Sequence, residues 1–238
     1  LIAWKGLFMR DYRTSDGSNL LNKVKENKEL LNKKIEYEHN RVKNKYNQIS
    51  NSAGHYLKEF SEIYNNACAY CGIPSWLIGA DGFEIDHFIC ESSFPDSADG
   101  RNEAGRIENL VYACRMCNRG KGKFLIPEEC RTLLMPDDNS ISQVFFREDD
   151  YYIKINEKYI NNHIILNFYN LLHLGSELKR LDYLLMKLRS LIRVVKEDEK
   201  NKIPYENIIC LKLQECYLEL HDKRNLEFHS LARDCMQL

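Results

Sequence analysis

Cys68-Ala69-Tyr70-Cys71, Glu84-Ile85-Asp86-His87 and Cys114-Arg115-Met116-Cys117-Asn118-Arg119-Gly120-Lys121-Gly122 follow one another within one stretch of a 238-residue chain. Each Cys-x-x-Cys pair offers two soft ligands from one tight turn, and two pairs make the four that tetrahedral zinc requires. Gly72 relaxes the first turn. The 42 residues between the pairs are more than a simple zinc ribbon holds, so a small unit is expected to fold inside the loop. Cys90, Cys130, Cys210, Cys216 and Cys235 follow no spacing pattern, and nine is an odd number of cysteines. A disulfide framework is therefore not expected in a chain long enough to build its own core. A structural zinc on Cys68, Cys71, Cys114 and Cys117 is.

Composition narrows the setting. Hydrophobic residues make up 44% and charged residues 29%, as in an ordinary soluble protein. No apolar run approaches the length of a membrane span and nothing resembles a signal peptide, so no membrane association is expected. With free thiols, this points to a reducing cytoplasm. A net charge of −1 excludes a wholly basic nucleic-acid coat, so any such binding must come from local patches.

The chain divides into three expected units. Residues 1–65 form an N-terminal helical segment, in which Leu20, Leu21, Val24, Leu30, Leu31, Ile35, Val42, Tyr46 and Ile49 recur at roughly helical spacing. From Lys23 to Lys45 there are eight basic and four acidic residues. Two readings of that excess stay open, a solvated amphipathic helix or a helix laid along a nucleic-acid backbone. A second helix from about Ser52 to Tyr64 leads to Cys68. Residues 66–139 hold the zinc-braced unit. Residues 140–238 read as a hairpin, Gln143–Phe146 and Tyr151–Ile155, followed by helices. Ser176 caps one whose apolar face runs from Leu178 to Val195, and Pro204 opens another. This last unit is expected to be a surface for a partner or for self-association.

Within the central unit, Phe83–Phe88 and Leu110–Ala113 read as short strands and residues 91–106 as a polar loop. From Arg115 the chain turns into a helix presenting Asn118 and Lys121 near the strand ends. The residue types suit phosphodiester hydrolysis, which needs a proton acceptor for water, a cation against the phosphate and stabilisation of the leaving oxygen. His87 can accept the proton near neutral pH. Asp86 and Asn118 are hard oxygen ligands of the kind that suit Mg²⁺ or Mn²⁺. Arg115, Arg119, Lys121 and Lys123 could hold flanking phosphates, and Arg101–Lys123 carries six basic residues against two acidic.

The order Cys-x-x-Cys, Asp86-His87, Asn109-Leu110 and Cys-x-x-Cys-Asn-x-x-Lys-Gly resembles the zinc-braced HNH endonucleases of the ββα-metal class. The resemblance implies an α+β fold. Its ββα-metal unit with a four-cysteine structural zinc would be flanked by the N-terminal helical segment and the mostly helical C-terminal domain. It implies His87 as general base, Asp86 as a ligand of the catalytic Mg²⁺ or Mn²⁺, and Asn109 as the middle residue that braces the loop and orients the His87 backbone. Asn118 stands where the family's final His stands, as second ligand, making the site a His-Asn-Asn variant. Glu84, on the strand face of Asp86, is either a further ligand through water or a solvated charge. The activity implied is cleavage of DNA. The Asp-His-Phe and Asn-Leu-x-Tyr-Ala-Cys contexts are similar to HNH proteins of bacterial anti-phage and restriction loci, among them the nuclease subunit paired with an ATPase in Septu-type systems. Two alternatives stand beside this reading: a catalytically silent zinc-stabilised binding or adaptor module, and a nuclease that cuts RNA such as tRNA. A homo-oligomer is compatible with either.

Overall fold

A computed structural model describes residues 11–14, 23–40, 42–51, 54–138, 140–198 and 205–236. The N-terminal segment begins with helix α1 (Val24–Glu38), the single turn α2 (Tyr46–Ile49) and α3 (His55–Ile63). Buried Val24, Lys28, Leu31 and Ile35 form the inward stripe of α1 at i, i+4, i+7 and i+11. The continuous helix expected as far as Ile49 does not form. Asn40 takes a left-handed φ of +49°, a conformation that ends a right-handed helix. Leu20 and Leu21 lie outside the described residues, and Leu30 is exposed.

The central unit runs through the turn α4 (Ser75–Ile78), strand β1 (Phe83–His87), helix α5 (Ala98–Ala104), strand β2 (Leu110–Cys114), helix α6 (Arg115–Lys121) and α7 (Glu128–Leu134). The strands pair antiparallel, Phe83 opposite Cys114 through His87 opposite Leu110. Helix α5 sits inside the stretch expected to be loop. Ser97 caps it by accepting from the Gly100 amide at 3.0 Å, and Gly100 leaves room for the Pro95 carbonyl, which a Cβ would meet at 2.0 Å.

The remainder comprises the turn α8 (Ile141–Val144), the hairpin β3 (Phe145–Arg147) and β4 (Ile153–Ile155), helix α9 (His163–Leu171) and a long antiparallel pair, α10 (Glu177–Asp198) and α11 (Tyr205–Met236). Ser176 accepts from the Lys179 amide at the start of α10. The mixture of helices with two small antiparallel sheets is α+β. No helix among the described residues is long and apolar enough to cross a membrane.

The three stretches share one core. A single buried cluster extends from Tyr12 through Ile35, Phe60, Leu110 and Phe145 to Leu174. Two consequences bear on the site. Phe83 stacks on Tyr112 across the sheet, centroids 4.7 Å apart, which faces Phe83 and Ile85 inward and leaves the Glu84–Asp86 face for α6. Helix α6 also rests on the end of α9, where a Cβ on Gly120 would lie 2.2 Å from the Leu171 carbonyl oxygen. Glycine is the residue that permits that approach.

Five of the eight basic residues between Lys23 and Lys45 turn out to be paired with acids. Lys33 meets Glu29 and Lys34 meets Glu59, both at 2.7 Å, and Lys25 bonds Asp138. Lys45 is 2.9 Å from Glu36. Lys28 is buried between the Phe60 and Tyr64 rings, where it binds Asp137 at 2.5 Å and donates to the Leu110 carbonyl. This arrangement favours the amphipathic-helix reading, with Lys28 acting as an internal tie from α1 to β2.

Candidate active site and metal centres

Cys68, Cys71, Cys114 and Cys117 are all buried, and their sulfurs lie within 4.8 Å of one another. Four sulfurs at the Zn–S distance of about 2.3 Å from a tetrahedral ion stand about 3.8 Å apart, and Cys71 Sγ is 3.8 Å from Cys114 Sγ. The donor set therefore fits structural zinc. The first turn is closed by the Gly72 amide donating to the Cys68 carbonyl and the Cys68 amide donating to that of Ile73, both at 2.9 Å. Gly72 has φ +78°, and a Cβ there would strike the Arg13 carbonyl oxygen at 2.1 Å. The second pair spans the junction of β2 and α6, so whatever fixes Cys117 also fixes Asn118 beside it.

Helix α6 lies along β1 in a definite register. Asn118 Nδ2 donates to Glu84 Oε2 at 2.7 Å. One turn later, Lys121 Nζ donates to the His87 carbonyl at 2.9 Å and stands 3.1 Å from Asp86 Oδ1. Glu84 Oε1 also receives Arg115 at 3.0 Å and Arg119 at 3.4 Å. Glu84 is therefore the carboxylate that Asn118 touches. By engaging the amide nitrogen it leaves Asn118 Oδ1 as the end available to a cation.

Asp86 is 5% exposed and accepts from the Tyr70 hydroxyl at 2.5 Å. Burial raises its pKa to about 6, against the opposing effects of Lys121 and Tyr70. Each carboxylate oxygen has more than one acceptor site, so these partners do not exhaust it.

His87 is half-buried, its ring 4.4 Å from that of Tyr46. Burial holds its pKa below the ordinary value and Lys121 adds to this, while Glu91 opposes it, so the imidazole is neutral at pH 7. Burial, followed by the charges of Glu84, Glu91 and Asp86, raises the Tyr46 phenol, which places that ring beside the acidic face.

Asn109 makes a closed set of bonds just beyond His87. Its Oδ1 accepts from the Ile89 amide at 2.8 Å, and its Nδ2 donates to the Ile89 carbonyl at 3.0 Å and to that of Ala104 at 2.8 Å. Its own carbonyl accepts from the Phe88 amide at 2.8 Å. These bonds fix the path of the chain as it leaves β1.

The HNH endonuclease family model matches residues 68–124. This segment is an HNH endonuclease domain. Its bounds hold both cysteine pairs, β1, β2 and α6, and proteins of this kind use metal ions and act on nucleic acid. Comparison with curated proteins and with solved structures gave no match.

One residue expected at the nucleic-acid surface of the HNH domain is displaced. Lys121 has a fully buried side chain, and its ammonium is spent on Asp86 and the His87 carbonyl, so it is not placed to hold a phosphate. Lys121→Met is expected to destabilise the fold by about 3–5 kcal/mol, because it removes one partner of a buried ion pair and leaves Asp86 and the His87 carbonyl without their donor. Chemical denaturation measures this; a phosphate contact would instead weaken nucleic-acid binding and leave stability unchanged. Arg115, Arg119 and Lys123 remain at the surface.

Three side chains outside the sequence-level selection touch the site: Tyr70 on Asp86, Tyr46 on His87, and Lys179, whose Nζ donates to Cys71 Sγ at 3.2 Å. Tyr46 reads as part of an apolar helical stripe, and Lys179 as a charge between leucines. Nothing in the local pattern of either signals where it ends.

Proposed function

We propose that the chain is a metal-dependent endonuclease hydrolysing DNA phosphodiester bonds, with His87 as general base and Asp86 and Asn118 as protein ligands of a Mg²⁺ or Mn²⁺ ion. The observation that carries the reading is the register of α6 on β1. It lines up Asn118 with Glu84 and Lys121 with Asp86, beside His87 and inside the HNH domain.

A carboxylate and an amide oxygen are hard donors that suit Mg²⁺ or Mn²⁺ better than zinc. Such an ion, when bound, supplies charge neutralisation at the phosphate and the leaving oxygen. His87, neutral and braced from behind by Asn109 and by Lys121 on its carbonyl, accepts the proton of the attacking water. Glu84 orients the Asn118 amide. Arg115, Arg119 and Lys123, at the rim, bind flanking phosphates and set register on the substrate without reading its bases. Zinc on the four thiolates fixes the start of α6 and with it Asn118.

Because His87 supplies the base, no 2′-hydroxyl is needed, and the substrate is decided by a panel. Supercoiled plasmid, single-stranded DNA and tRNA are incubated with the protein in Mg²⁺, Mn²⁺ or EDTA. Cutting of DNA that stops in EDTA is the expected result; cutting of tRNA alone would replace DNA with RNA as the substrate, and metal-replete protein that cuts nothing counts against the reading. Asn118→Ala is expected to raise the Mg²⁺ concentration for half-maximal rate on the order of tenfold or more, with nucleic-acid affinity little changed. If affinity falls instead, Asn118 contacts the phosphate. An anti-phage setting and an ATPase partner rest on the sequence resemblance.

A further inference from the structure

We propose that Lys179 is an outer-sphere partner of the zinc tetrathiolate, and that zinc retention is thereby coupled to docking of the α10–α11 pair on the HNH domain. This rests on the zinc reading of the four cysteines. Lys179 lies in the first turn of α10, 108 residues beyond Cys71 and well outside the segment matched by the family, yet its Nζ donates to Cys71 Sγ at 3.2 Å. It is only 2% exposed.

A buried ammonium is costly unless an anion receives it. A neutral thiol is a weak acceptor, whereas a zinc ion held by four thiolates carries a net charge of about −2. Lys179 brings a buried cation to that charge from outside the HNH domain. Half-buried Arg147 of β3 supports it, donating to the Tyr12 carbonyl at 2.8 Å and to the Lys179 carbonyl at 3.4 Å and lying 4.1 Å from the Tyr183 ring centroid.

The same helix carries the link onward. Buried Asp182, one turn after Lys179, accepts from Arg224 of α11 at 2.9 Å. Farther along α10, Arg189 stacks 3.8 Å over Trp76, which follows the first cysteine turn. Helix α10 thus contacts the zinc-bearing side at Lys179 and again ten residues later. An interaction that helps hold the ion must by linkage help hold the helix.

The test uses full-length, zinc-loaded protein. Zinc release to a chromophoric chelator is timed for wild type, Lys179→Met and Lys179→Arg, with folding checked by circular dichroism. Outer-sphere partners commonly change metal affinity by about 10–100-fold. The Met variant, which keeps the stem and loses the charge, is expected to release zinc at least about tenfold faster, and the Arg variant to stay within a few-fold of wild type. A folded Met variant that keeps zinc as long as wild type would overturn the inference while leaving the zinc reading intact. Wild-type protein that contains no zinc would overturn both.

A second measurement needs no variant. Amide hydrogen exchange over residues 177–186 is followed in wild-type protein as chelator removes the ion. Loss of protection in step with zinc is expected; protection that outlasts the zinc would count against the coupling.

Discussion

Replacing His87 with alanine is expected to lower the cleavage rate by about 10²- to 10⁴-fold, the range that a positioned general base contributes. Zinc content should stay at the wild-type value. Thermal stability should change little, because among the described residues the recorded partner of the His87 ring is the Tyr46 ring, and no hydrogen bond to the imidazole accompanies it. Such an aromatic contact contributes about 0.5–1.5 kcal/mol, and in a chain of this size 1 kcal/mol shifts Tm by about 2–4 °C. The backbone role of the residue survives the substitution, since Lys121 bonds the carbonyl and not the ring. Rates on the preferred nucleic acid, metal analysis and a melting curve check all three statements. A variant that loses its fold would show that His87 is a core residue mistaken for a base.

The second large effect belongs to the cysteines. Cys71→Ser or Cys117→Ser is expected to leave the central unit unfolded or severely destabilised. Structural zinc contributes about 10–16 kcal/mol of binding in small domains, which matches or exceeds the total stability of about 5–15 kcal/mol that a typical protein has. Among the described residues the four sulfurs are the one group of three or more His, Cys, Asp or Glu side chains placed to share an ion, and that group holds no fifth member to replace a lost thiolate. The damage should also spread to the chemistry, because Cys117 adjoins Asn118 on α6. Metal stoichiometry and the melting transition report it. Soluble, zinc-free and active serine variants would rule out the structural role.

Much of the site was legible in the sequence because its pieces are local. A Cys-x-x-Cys turn, a five-residue strand and a single two-turn helix each follow from spacing and residue type, and β1, β2 and α6 formed where expected. What the sequence hid is the fate of long cationic side chains. Lys121 reads as a phosphate contact, and nothing sets Lys28 or Lys179 apart from the charges around them, yet each is buried on an acceptor 34 to 109 positions away in the chain. The apolar stems of such residues pack like hydrophobes, and where the ammonium ends is decided by tertiary partners that no local pattern encodes. Lys28 did leave a trace, at the i+4 position of the Val24–Leu31–Ile35 stripe. Lys121 left none, since a basic residue following Asn-Arg-Gly beside a candidate metal site reads equally well as a phosphate contact. The break of the first helix at Asn40 and the small helix α5 inside a polar stretch were hidden for another reason: a one-residue change of φ and a serine cap outweigh weak propensities.

Anomalous diffraction from crystals grown with Mn²⁺, recorded above the manganese and zinc edges, tests the two-metal reading. Two ions per chain are expected. Zinc should lie at the centre of Cys68, Cys71, Cys114 and Cys117, and manganese should be ligated by Asp86 and by Asn118 Oδ1, beside the His87 imidazole. Manganese bound elsewhere, or an Asp86 that keeps Lys121 as its cation while no metal enters at saturating Mn²⁺, would contradict that reading.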